Sequence, residues 1–117
     1  MVAQVAWAAA DAMGVILGFI LLVLGVPLVM GKVRPNAFYG FRTAATMRDE
    51  RVWYEANAFG GMALIGCGAT VVALAFLLKP LSHGLSYGDY KLVEGAFQAG
   101  PLLVMAIALV RYNARLK

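Results

Sequence analysis

Between Lys32 and Asn57 the chain reads KVRPNAFYGFRTAATMRDERVWYEAN, and this stretch holds the residues best suited to recognition: Asn36, Tyr39, Gly40, Arg42, Thr43, Thr46, Trp53 and Asn57. Their types suit binding better than bond-making. Arg42 offers five donors in a fixed fork, which matches a carboxylate or phosphate. The same fork could hold a lipid phosphate or staple the loop through its own carbonyls. Asn36 and Asn57 each carry a donor and an acceptor, for a polar pocket or for loop backbone. Tyr39, Phe41, Trp53 and Tyr54 are read as interface anchors first and a recognition surface second. Nothing in the sequence pairs a nucleophile with a base, and no glycine-rich loop is built to cradle phosphate. His83 stands in a Pro/Ser/Gly loop without a second ligand near it, and Cys67 is the only cysteine. No catalytic residue, metal ligand or cofactor is therefore expected.

What positions these residues is a chain too apolar for a soluble domain. Of its 117 residues 62% are hydrophobic and 14% charged, against roughly 45–50% and about 25% in an average soluble domain. Three apolar runs stand out, and the spans are placed at about 12–30, 56–78 and 95–112. At about 1.5 Å per residue, such runs approach or reach the roughly 30 Å of a hydrocarbon core. The third is interrupted by Gly100-Pro101 and opened by Glu94, which is expected to pair with Lys91 rather than relay protons. Pro27 and Pro101 are expected to kink spans one and three. Gly14, Gly18 and Gly25 in the first span, and Gly60, Gly61, Gly66 and Gly68 in the second, allow close helix approach. Gly14-x-x-x-Gly18 could serve a homo-oligomer or packing within the chain. The absence of basic residues before Asp11 argues against a cleaved signal peptide.

The expected fold is an all-α membrane protein. It has three transmembrane helices and an ordered polar interfacial loop, 32–57, between helices 1 and 2, all in a single domain over 1–117. Basic residues set the orientation. The first loop and the C-terminal tail hold eight Lys and Arg between them, against two, Lys79 and Lys91, on the other side. That asymmetry predicts an outside N-terminus and a cytoplasmic motif loop and C-terminus in a bacterial inner membrane. The net charge of +4 is thus a topology signal and an attraction to anionic lipid, and no nucleic-acid partner is expected.

Within the loop, Pro35-Asn36 favours a turn. Gly40, between two aromatics, suggests positive φ or close backbone approach. Thr46-Met47-Arg48-Asp49 matches a capping box that would start a helix at Met47 and run unbroken into the second span. Trp53 and Asn57, four apart, share a face, so Arg42, Trp53 and Asn57 are expected to converge as the loop folds back.

This stretch resembles the signature of the SdpI family of small bacterial integral membrane proteins: Pro35-Asn36, then Tyr39-Gly40-Phe41-Arg42-Thr43, then Thr46, then Trp53 and Asn57. The resemblance implies an immunity or signalling role. The protein would protect its producer against a secreted membrane-active peptide, or hold a transcriptional repressor at the membrane. It also implies one family domain without the additional spans of the founding member. Its partners would be membrane lipids, a toxin peptide or a membrane protein. A structural or accessory subunit of a membrane assembly is the alternative. A lipid or small-molecule transporter or enzyme comes third, since Asn57, Thr70 and Gln98 are too few for an ion route.

Overall fold

A computed structural model describes residues 2–80 and 84–116, with side chains from residue 12 onward; His83 and Lys117 lie outside the described residues. Its elements are α1 (Val2–Val29), α2 (Ala44–Arg48), α3 (Glu50–Leu78) and α4 (Tyr87–Ala114). Every described element is helical, and α1, α3 and α4 are each long and apolar enough to cross a membrane. At about 1.5 Å per residue α3 reaches about 43 Å, so its first turns extend beyond the hydrocarbon. Large apolar side chains such as Ile16, Phe19, Val23, Phe76 and Val104 remain exposed, as a lipid-facing surface requires.

Lipid is as apolar as leucine, so helices in a bilayer associate through close packing rather than water exclusion. The sequence supplies this with two reciprocal glycine contacts between the antiparallel α1 and α3. A Cβ on Gly18 would stand 2.7 Å from the Gly68 carbonyl oxygen, and one on Gly68 would stand 2.6 Å from that of Gly18. Gly25 and Gly61 repeat the arrangement at 2.6 and 2.7 Å. Each pair member lies seven residues from the next on its own helix, two turns of a seam with a 3.5 period. Gly14 also faces inward, toward Ala75 and Gln98, so all three α1 glycines serve packing within the chain. Gly66 differs from the expectation: a Cβ there would meet nothing, because it lies off the seam.

The α4 helix joins more loosely, with Tyr90 and Glu94 its only buried residues among those described. It runs through Pro101 without a break and starts eight residues before the expected position, capped by the Ser86 hydroxyl on the Asp89 amide. Glu94 therefore lies inside the helix rather than opening it. Its carboxylate takes the Lys91 ammonium at 3.0 Å, the expected i, i+3 pair. Leu21, Cys67 and Val71 form the mid-membrane core, against which Leu102 and Met105 of α4 rest.

The end of α1 sets the direction of the motif loop. Gly31 adopts φ +69°, and two crossed bonds close the helix: Lys32 N–H to the Pro27 carbonyl and Gly31 N–H to that of Leu28. This left-handed cap is open to glycine at little steric cost. It turns the chain back along the helices it has just left.

Candidate functional site

The loop after Gly31 is ordered by side chains that bond backbone. Asn36 begins it. Its Oδ1 accepts from Phe38 N–H at 2.8 Å and Tyr39 N–H at 2.7 Å, while its Nδ2 donates to the carbonyls of Arg34 and Tyr39. Pro35 cannot donate and presets φ, so this Asx turn completes the bend the sequence predicts. Tyr39 then donates its hydroxyl to the Leu24 carbonyl of α1, five residues, or about 8 Å, before the end of that helix. Burial pushes its phenol pKa above the ordinary value.

Gly40 is the pivot. Its φ is +114°, and an added Cβ would meet Asn57 Oδ1 at 2.8 Å and the Trp53 ring at 3.0 Å. Both the conformation and the space exclude a side chain there. Beyond it, Phe41 lays its ring on Gly60, where an added Cβ would approach ring carbons at 2.0 Å. Asn57 and Trp53 supply the receiving surface. Asn57 Oδ1 accepts from Phe41 N–H at 2.6 Å, and its Nδ2 donates to the carbonyls of Trp53 and Phe41. Trp53 has no exposed surface, and its indole N–H donates to the Val33 carbonyl at 2.9 Å. Trp53 is thus the wall against which the loop folds rather than an anchor in the headgroups.

The threonines correct the expected cap. Thr43, not Thr46, is the N-cap: Thr46 N–H donates to the Thr43 hydroxyl, and Thr43 N–H donates to the Thr46 hydroxyl at 2.8 Å. Thr46 sits at the third helical position, where its hydroxyl also reaches the Phe41 carbonyl. The helix so started stops after Arg48, because Asp49 leaves helical geometry with ψ 119° and caps α3 through the Arg51 amide at 2.9 Å. The expected unbroken helix from Met47 is therefore two helices with a corner. An aspartate directly before Glu50 carried that signal, since both favour a helix N-terminus.

Arg42 is exposed and donates to the Ala37 carbonyl at 2.8 Å. This bond makes it a loop staple, one of the roles its fork suggests, and uses one of the five N–H donors of the guanidinium. Trp53 and Asn57 converge on Gly40 and Phe41, while Arg42 stands outside that cluster. No buried side-chain polar atom among the described residues lacks a partner. The inward half of the motif is fully spent on the loop. Facing outward are Arg34, Arg42 and Phe38, the last with 97% of its surface exposed.

A second feature escaped the sequence reading. Phe41, Thr43 and Thr46 form one wall of a cleft of about 230 Å³ whose other wall is the end of α4, including Tyr112, together with Leu116 just beyond it. Tyr112 is held there by stacking on Phe59 at 4.2 Å. Nothing local in the sequence links residue 43 to residue 112.

Comparison with known proteins locates the motif within a larger match. The model of the SdpI/YfhL protein family matches residues 32–112, which takes in the loop, α3 and most of α4. The uncharacterized protein YfhL of Bacillus subtilis (strain 168) is 29% identical over 66 residues, which cover 56% of this chain and 60% of YfhL. No solved structure matches.

Proposed function

Because this chain is a membrane protein of the SdpI/YfhL family, we propose that it is an immunity-type binding protein of the bacterial inner membrane rather than an enzyme. In this reading its motif loop is a rigid platform that engages a membrane-active peptide or a membrane partner. One observation carries it. Every inward polar group of the motif is consumed by backbone, so the chemistry left to meet another molecule is the outward basic and aromatic face of Arg34, Phe38 and Arg42. A platform held by side chain–backbone bonds loses little entropy when a partner lands on it. Groups already committed to backbone are poorly placed for proton transfer, which favours binding over catalysis.

The test is protection of growth against membrane-active peptides in cells with and without this gene, followed by substitution of Arg42. Arg42→Ala is expected to reduce protection by about tenfold or more, the cost of a charge-assisted bond to a partner, with abundance unchanged. Arg42→Lys should also fail, since lysine keeps the charge but loses the fork. Arg51, exposed and paired with exposed Glu55, is the control whose loss changes little. Wild-type behaviour of Arg42→Lys would transfer the function to anionic-lipid anchoring. Equal losses of abundance and protection in Arg42→Ala would leave only the staple to Ala37.

The orientation belongs to the same proposal. Arg48 and Arg115 lie along one cleft at the same end of the helices, where the excess of basic residues favours the cytoplasm. In a background with Cys67 replaced, a cysteine at Ala37 should resist impermeant thiol reagent in intact cells and one at Ser86 should react. Labelling of position 37 from outside would reverse the topology.

A further inference from the structure

The cleft between the motif and the end of α4 changes character along its length. Its inner part, about 230 Å³, is lined mostly by Phe41, Ala56, Leu109, Val110 and Tyr112, with Thr43, Thr46 and Asn113 among them. Leu116 lines this part and also the adjoining outer part, which opens past Ala45 and Val52 to Arg48, Asp49 and Arg115. The less polar part lies against Leu109, Val110 and Tyr112 in the last turns of α4, and the charged part lies beside Arg115, just past the helix end. Arg48 lines the cleft and holds its place by donating Nε to the Ala44 carbonyl at 3.1 Å, a bond that does not use its two terminal nitrogens. Asp49, the one acid among the described lining residues, is occupied as the cap of α3 through the Arg51 amide. The two guanidinium groups outweigh it.

We propose that this cleft is a binding site for an anionic phospholipid, with part of one acyl chain against Phe41, Val110 and Tyr112 and the phosphate between Arg48 and Arg115. The charge complementarity selects the occupant. Two arginine forks at the charged end match phosphate oxygens, and the largely apolar inner part suits a stretch of acyl chain. Such a lipid would tie the short α2 to the loosely held α4. The site is separate from the outward face of Arg42, so it stands or falls independently of the protective role.

The test uses the full-length protein in detergent, with native mass spectrometry of phosphatidylglycerol and phosphatidylcholine of matched chains. Wild type should retain phosphatidylglycerol at least about tenfold better, the effect of charge-assisted hydrogen bonds to a phosphate. Arg48→Ala/Arg115→Ala should abolish that preference, whereas Arg34→Ala/Arg42→Ala should keep it. A photoreactive side chain at Leu109, introduced in cells into the otherwise unaltered chain, should yield an adduct of lipid mass. A preference that survives loss of Arg48 and Arg115, or that falls equally with Arg34 and Arg42, would overturn the site in favour of diffuse attraction. A crosslink from position 109 to another polypeptide alone would overturn it in favour of a protein occupant.

Discussion

Gly61→Ala is expected to lower the thermal stability of the purified protein sharply, whereas Gly66→Ala should leave it unchanged or raise it. The two positions share one helix and one substitution, and differ in what a methyl group meets. At Gly61 it would stand 2.7 Å from the Gly25 carbonyl oxygen, 2.8 Å from Val29 and 2.9 Å from Leu28. A backbone carbonyl cannot rotate away, so α1 and α3 must separate or slide. Overpacking of this kind costs typically about 1–3 kcal/mol and occasionally more, and here it also spoils the neighbouring contact of Gly18 with Gly68. At Gly66 the methyl meets nothing, and alanine is favoured over glycine in a helix by roughly 0.8–1 kcal/mol. Melting temperatures in one detergent decide the matter. Equal values for the two variants would show that the glycine seam does not hold the helices together.

Loss of Asn57 is expected to release the motif loop while leaving the three spans in place. Its side chain bonds Phe41 N–H, the Phe41 carbonyl and the Trp53 carbonyl, and it is 2% exposed. Asn57→Ala removes the partner of the Phe41 amide without offering another. An unsatisfied donor of this kind costs about 1–3 kcal/mol, which is comparable to what holds a loop against its helix. Asn57→Asp should be worse, because it keeps the acceptor, loses the donor and buries a charge. Hydrogen exchange at Phe41 and limited proteolysis between residues 32 and 43 should both accelerate in each variant, with helical circular dichroism retained. Exchange at Phe41 as slow as in wild type would mean that the Trp53 wall and the Asx turn suffice to order the loop.

The two changes probe different kinds of information. That α1, α3 and α4 are long and apolar enough to cross a membrane follows from composition and run length, because a span needs about 20 mostly apolar residues. The turn at Pro35-Asn36, the special backbone at Gly40 and the pairing of Glu94 with Lys91 were equally legible, since each depends on neighbours within a few residues. The helix start was misplaced by three residues because Thr43 and Thr46 both satisfy a local capping pattern. In the structure the Thr46 hydroxyl is taken up by the Thr43 amide and the Phe41 carbonyl, and Thr43 is the cap. The fate of Trp53 was illegible for a related reason. A tryptophan at a span edge suits the headgroups, and only the return of the loop over Gly40 encloses it.

The glycines show the division most clearly. The sequence by itself determined that α1 and α3 could approach closely. It could not determine that Gly18 meets Gly68 and Gly25 meets Gly61, because helix register is fixed by the summed fit of both surfaces. Nor could it bring Phe41, Thr43 and Arg48 to the end of α4, more than sixty residues away in the chain. Local chemistry wrote the spans and the loop's bonds. The tertiary structure alone decided which motif groups are consumed in holding the loop and which are left to face another molecule, because a hydrogen bond already made to backbone is no longer available to a partner.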